Sequence, residues 1–428
     1  MVHTHVPSNL PPTEKEALTI GQLIDWLAGY GLTDEGGVTR LLYSSSWLQA
    51  QQALQEKMKT AGLHAYFDSV GNLFGRVPGT VKPAEVILTG SHIDTVVEGG
   101  KYDGAYGIVA SFLAVTRLLE HHGPPKRTIE IVSLCEEEGS RFPLTYWGSG
   151  NITGQYDASA ITSLKDKDEI SFAEAMKEAG FPISQYQSNK RTDIQHFVEV
   201  HIEQGQVLEN KQMDIGIVSH IVGQQRYTIT FRGESNHAGT TEMEGRRDAM
   251  VSAANAISEL TTLAKDEYPM LRVTTGQLQA KPNIPNVIAG TVSFSVDIRH
   301  HEQAVLGRFA QAMHSLLEQI AERYRMEYTA ERWTAIEPVP LDEEMQGKVR
   351  KMTEARGCRS LSMVSGAGHD AQVFGQHLPA TLLFVPSRKG ISHSPLEYTE
   401  PQHLENGVQI LMDVLYHLAY EEGNKDEF

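Results

Sequence analysis

Apolar residues recur at three- and four-residue intervals over residues 19–30 and again over 39–61, which predicts two amphipathic helices near the start of the chain. The pattern then changes. In AEVILTGSH, residues 84–92, β-branched and apolar residues run together, predicting a buried strand with His92 at its carboxyl end. A helical period follows over roughly 107–121. RTIEIVSLCEEEGSRF, from residue 127, then reads as a second buried strand that runs into three glutamates. Strand, helix and strand at this spacing predict a parallel sheet.

Beyond FVEVHIEQGQVLE the period shortens to two in RYTITFRGES, MLRVTTGQLQA and TVSFSVDIRH, interleaved with helical patterns over 246–265 and 303–324. Helices on one face of an antiparallel sheet are expected from such a mixture. ATLLFVPS, from residue 380, reads again as a buried strand and 401–420 as a closing helix. The expected fold class is therefore α/β: a mixed-sheet domain formed by residues 1–219 and 334–428, interrupted by an α+β domain at 220–333. A chain of 428 residues is long enough for two cores.

The composition, 40% apolar and 21% charged, is that of a globular protein. A formal net charge of −17 leaves no basic surplus for phosphates, so a nucleic-acid partner is not expected. No apolar run reaches the length of a membrane span, and the amino-terminal stretch lacks a basic region followed by an apolar one. Its first dozen residues read as a poorly ordered lead. The two cysteines, Cys135 and Cys358, cannot make a disulfide framework and are expected to stay reduced, which suits the cytoplasm.

Four places far apart in sequence set ligand-type residues at the end of an apolar run: His92 with Asp103, the triplet Glu136-Glu137-Glu138, His201, and His393. Strand ends in open α/β sheets face the crevice where ligands bind. Imidazoles and carboxylates suit a borderline divalent ion such as zinc or manganese. Asp94 is placed to accept the second ring N–H of His92, and glycines at 99, 100 and 104 let the loop bring Asp103 back to it.

The segments GSHIDTVVEGGKYDG, EEEGSRF, HIEQG, GESNHAGTT, PNIPNVIAG, VDIRH, SGAGHDAQ and GISHSP resemble, in order and over nearly the whole chain, the signatures of the amidohydrolase branch of the M20 metallopeptidase family. GGVTRLLYSSSW is most similar to the members that cleave allantoate. The resemblance implies a zinc-dependent-exopeptidase type of catalytic domain with a ferredoxin-like insertion serving as dimerisation and lid domain, two divalent ions (zinc or manganese) per subunit, and a homodimer. It makes His92 and His201 terminal ligands, Asp103 the bridging carboxylate followed by a cis peptide bond, and Glu138 and His393 the ligands of the second ion. Glu137 takes the general-base role, His237 the oxyanion donor, and Gln204, Asn286 and Arg299 hold the substrate. In VGQQRYT, Gln225 stands where the allantoate-cleaving members usually carry a second Arg and is expected as a further substrate contact, while Arg226 is retained.

The implied reaction is hydrolysis of a small ureido acid, allantoate, to ureidoglycine, ammonia and carbon dioxide. An N-carbamoyl-L-amino acid is the alternative substrate, and a non-catalytic metal-dependent binding protein the alternative of another class. Glu137 beside Glu138 speaks against the last, since a binding protein has no use for a base there.

Overall fold

The computed structural model describes residues 19–187 and 190–421, and the poorly ordered lead expected over the first dozen residues lies outside the described residues. Four parallel strands form the centre of a nine-stranded mixed sheet, in the spatial order Arg127–Leu134, Lys82–His92, Ile194–Ile202 and Ala380–Val385. On one side the sheet continues through the antiparallel strands Leu73–Val77 and His64–Phe67. On the other it continues through Ile215–Ile221, which pairs with Ser360–Ser365 and Val339–Pro340.

The central strands are apolar on both faces because helices cover both. Ile87, Ile129, Ile131, Val198 and Val200 face a core shared with helices Ala105–His122 and Pro401–Ala419. Their neighbours Leu88, Val132, Phe197, Leu382 and Phe384 face the opposite core, where the ring of Phe197 lies 4.1 Å from that of Phe374 in helix Asp370–Gly375. The first helix, Ile20–Ala28, starts at Thr19 with a capping box closed by Gln22. The second is shorter than its sequence pattern: it spans Ser45–Thr60 and begins only where the Ser44 hydroxyl accepts the Trp47 N–H. Upstream, the buried Arg40 donates to the carbonyls of Leu27, Tyr30 and Ile93, which holds the preceding segment out of the helix.

A second, five-stranded antiparallel sheet contains Glu327–Ile336, Gly223–Arg232, Thr291–His300, Arg272–Thr274 and Leu278–Lys281. Helices Ala249–Glu267 and Gln303–Tyr324 cover one face, burying Tyr227, Ile229, Phe231, Val292, Phe294, Val296 and Ile298 at alternate positions. The boundary expected after residue 333 falls inside the strand Glu327–Ile336. A register shift between Arg332 and Thr334 breaks its alternation there, while pairing continues to Ile336. No helix among the described residues is long and apolar enough to cross a membrane.

Candidate active site

The central strands deliver their polar residues to one edge of the sheet. His92 closes Lys82–His92, the three glutamates follow Leu134, His201 lies one residue from the end of Ile194–Ile202, and His393 follows Ala380–Val385. Asp103 returns to this edge just before helix Ala105–His122. Its Oδ1 lies 3.2 Å from His201 Nε2 and 3.6 Å from His92 Nε2, and its Oδ2 lies 3.1 Å from His393 Nε2. His393 Nε2 is in turn 3.3 Å from Glu138 Oε1. One carboxylate thus turns its two oxygens to two separate sets of donors, and the ligand atoms of His92, Glu137 and Glu138 form a further cluster beside them.

The turn that returns Asp103 requires glycine at Gly104, whose φ is +63° and where a Cβ would collide with the His92 carbonyl and ring. The Asp103–Gly104 bond, expected to be cis, is not: among the described residues the cis peptide is Lys281–Pro282, and the positive φ of Gly104 makes the turn instead.

Hydrogen bonds fix the directions of these groups. His92 Nδ1 is 3.1 Å from the Asp94 carbonyl and His201 Nδ1 is 2.9 Å from the Ile202 carbonyl, so both rings present Nε2 to Asp103. The Asp94 carboxylate accepts the backbone N–H of Glu137 through one oxygen and that of Glu138 through the other, each at 3.0 Å. It therefore orients the acidic turn as well as lying 3.4 Å from His92 Nδ1, a second task that its position beside His92 did not suggest. Imidazoles with tied second nitrogens around a shared carboxylate are a donor set that fits divalent cations.

Charge is concentrated here. Burial would raise the Asp103 carboxyl, but His201, His393 and His92 outweigh it and hold the group well below its usual range. Asp103 and Glu138 raise the His393 imidazole to about 10. Burial pushes Glu137 well above the usual carboxyl range, helped by Glu138 and Asp370 and opposed by His92. The Tyr146 phenol is also pushed up, first by burial and then by Glu137 and Asp370.

A cleft of about 810 Å³ opens over this edge, with the second sheet as its far wall. Gln204 lines it and donates its amide to Asp103 Oδ2 at 3.0 Å and to Ser392 at 3.2 Å. Arg299 lines it too, donating to both oxygens of Asp297 at 3.0 and 3.2 Å and to the Gly366 carbonyl at 2.9 Å. Asp297 also accepts from Arg226 at 3.0 Å and Gln224 at 2.7 Å, so this wall keeps one positive charge in excess over the shared carboxylate.

Gln225 is not part of that wall. The period of two turns it to the helix-covered face, where it is buried and its Oε1 accepts the Tyr227 hydroxyl at 2.8 Å. An arginine expected at this position would point away from the cleft, whereas its neighbours Gln224 and Arg226 face it. His237 and Asn286 are brought together with each other, the Ala238 N–H donating to the Asn286 carbonyl at 3.0 Å, but both are exposed and neither lines the cleft.

Three residues escaped the sequence reading. Glu397, buried, accepts the backbone N–H groups of Tyr102 and Asp103 at 2.9 and 3.1 Å, and burial followed by Asp103 raises it to about 7. Its place four residues after His393 was the available signal. His369, within SGAGHDAQ, is buried with its ring 4.7 Å from that of His201 and its Nε2 without a hydrogen-bond partner. Tyr146 lines the cleft beside Glu137.

Known proteins resemble this chain over most of its length. A model of peptidase family M20/M25/M40 matches residues 88–417. Allantoate amidohydrolase of Bacillus subtilis (strain 168) is 51% identical over 412 residues, covering 95% of this chain and 100% of its own. Allantoate amidohydrolase of Escherichia coli (strain K12) is 43% identical over 402 residues, covering 94% and 98%. Among solved structures, an amidase of the hydantoinase/carbamoylase family from Burkholderia multivorans matches with a TM-score of 0.89 at 33% identity, covering 94% of this chain and 97% of that one. A family match across most of the chain, with relatives aligned from end to end, means that this protein belongs to peptidase family M20/M25/M40.

Proposed function

We propose that this chain is a dinuclear-metal amidohydrolase that hydrolyses a ureido group of allantoate to ureidoglycine, ammonia and carbon dioxide. The observation that carries the reading is Asp103, whose two oxygens face separate donor sets with Glu137 beside them. His92 and His201 would hold one ion, Glu138 and His393 the other, and Asp103 both. Zinc and manganese are the metals this donor set favours. Bound there, a pair of divalent ions lowers the pKa of a nucleophilic water and polarises the ureido carbonyl, a poor electrophile because both flanking nitrogens donate into it.

The chain's own groups do the rest. Glu137 takes the proton of the attacking water and returns it to the departing nitrogen. Its raised pKa, caused mainly by burial, suits a group that must both accept and give. Arg299, with Arg226 beside it, pairs with a substrate carboxylate, and Gln204 reaches the ureido amide. His237 supplies the oxyanion donor and Asn286 a substrate contact. Because both are exposed and away from the chain's own cleft, we assign them to the cleft of a second copy, in a homodimer formed through the small sheet and its helices. The free thiols Cys135 and Cys358 support a cytoplasmic location.

The second reading, an N-carbamoyl-L-amino acid as substrate, is favoured by the apolar groups Leu144, Trp333 and Ile336 in the cleft, which would suit an amino-acid side chain. Ammonia release from allantoate, measured beside a panel of N-carbamoyl-L-amino acids, separates the two. Turnover of allantoate well above the panel supports the first reading, the reverse order supports the second, and no turnover of either returns the non-catalytic alternative.

A further inference from the structure

We infer that Tyr146 is a positioning residue for this reaction, its phenol seated in a notch left by Gly368 and holding the Glu137 carboxylate in the orientation that receives the proton. The inference rests on the reading of Glu137 as the base. Tyr146 occupies the left-handed region, with φ 57° and ψ 30°. A bulky residue is costly there and persists where the surroundings over-determine it, commonly at active sites.

The surroundings do so from both directions. The Tyr146 N–H donates to the Glu137 carbonyl at 3.3 Å, and the Tyr146 carbonyl accepts the Gly150 N–H at 2.8 Å. The next residue, Trp147, is fully buried and donates its indole N–H to the Tyr43 hydroxyl at 3.0 Å. With the backbone pinned on either side, the strained angles aim the phenol into the cleft, which Tyr146 lines together with Glu137. Gly368 completes the fit: a Cβ there would overlap the Tyr146 hydroxyl. The glycine belongs to the segment after Ser360–Ser365, more than two hundred residues along the chain, so this close approach is a tertiary feature. No other proposed catalytic group requires it.

Two double-mutant cycles on the metal-loaded protein test the assignment. Tyr146→Phe removes only the hydroxyl and is expected to lower kcat about 10- to 100-fold, the loss associated with a hydrogen bond to a charged group, with KM and metal content unchanged. In a Glu137→Gln background the same change is expected to cost less than about threefold, because the carboxylate to be held is gone. Gly368→Ala is expected to damage the wild-type protein similarly but to cost little in the Tyr146→Phe background, where the added methyl meets no oxygen. Full multiplication of the effects in the first cycle on a low Glu137→Gln baseline would overturn the role of Tyr146 and leave the base intact. Metal loss or an unchanged kcat in Tyr146→Phe would overturn it as well, and a Glu137→Gln protein of undiminished kcat would remove both readings together.

Discussion

Glu397 accepts the backbone N–H of Asp103 at 3.1 Å, and through its other oxygen it accepts the hydroxyl of Ser392, the neighbour of His393, at 2.7 Å. One buried carboxylate thereby ties the loop of the bridging group to the loop of a ligand nearly three hundred residues away. Gly100 makes room for it, since a Cβ there would overlap the Glu397 side chain. Glu397→Ala should therefore loosen both loops and weaken metal binding by about 10- to 100-fold, the usual effect of losing an outer partner of a ligand. Competition with a chelator measures this. Unaltered affinity would mean that the two loops hold their places without Glu397.

Glu137→Gln keeps the size of the side chain but cannot take a proton. Its metal content should match the wild type while kcat falls by roughly 10²–10⁴. Metal analysis beside steady-state kinetics checks both halves. Loss of an ion from this variant would show that Glu137 and Glu138 exchange roles.

The charge at His393 sets the pH dependence of metal binding. Its imidazole is raised to about 10 by Asp103 and Glu138, so in the metal-free protein it carries a proton at neutral pH, whereas a ligand must be neutral. Metal uptake at pH 7–9 should then release at least one proton, and affinity should rise with pH up to about 10 and fall toward acid. Titration with Zn²⁺ or Mn²⁺ in weak buffer, read by an indicator, counts the protons. Uptake without proton release would mean that His393 is already neutral.

If His237 serves the neighbouring cleft, two inactive proteins should complement each other. Mixing Glu137→Ala with His237→Ala chains in equal amounts and allowing exchange should recover roughly a quarter of wild-type activity, because half of the dimers are mixed and each holds one intact site of two. Mixtures that exchange subunits yet remain as inactive as their parents would place His237 in its own chain's site.

Much of this site could be read from the chain because the relevant residues sit at strand exits. Buried parallel strands make long apolar runs, so His92, the glutamate triplet, His201 and His393 stand out where those runs stop, and the structure gathers them at one sheet edge. What escaped depends on contacts between distant segments. Glu397 acts through the N–H of Asp103, and Tyr146 depends on Gly368, neither of which leaves a local pattern. Gln225 shows the opposite limit. Alternation on Gly223–Arg232 decides which of three adjacent polar residues meets the cleft, and the motif, read as a block, does not carry that information. The early start expected for helix Ser45–Thr60 has the same origin, since the three carbonyls that hold Arg40 belong to other segments of the chain.

The central claim is that Asp103 joins two ions into one hydrolytic centre. Metal-stripped protein titrated with Mn²⁺ or Zn²⁺ while ammonia release from allantoate is followed tests it directly, with Asp103→Ala as the control. Activity absent without metal, rising to a plateau at two equivalents per chain and lost in Asp103→Ala, is the predicted result. Full allantoate turnover by the metal-free protein, or by Asp103→Ala at wild-type rate, would contradict it.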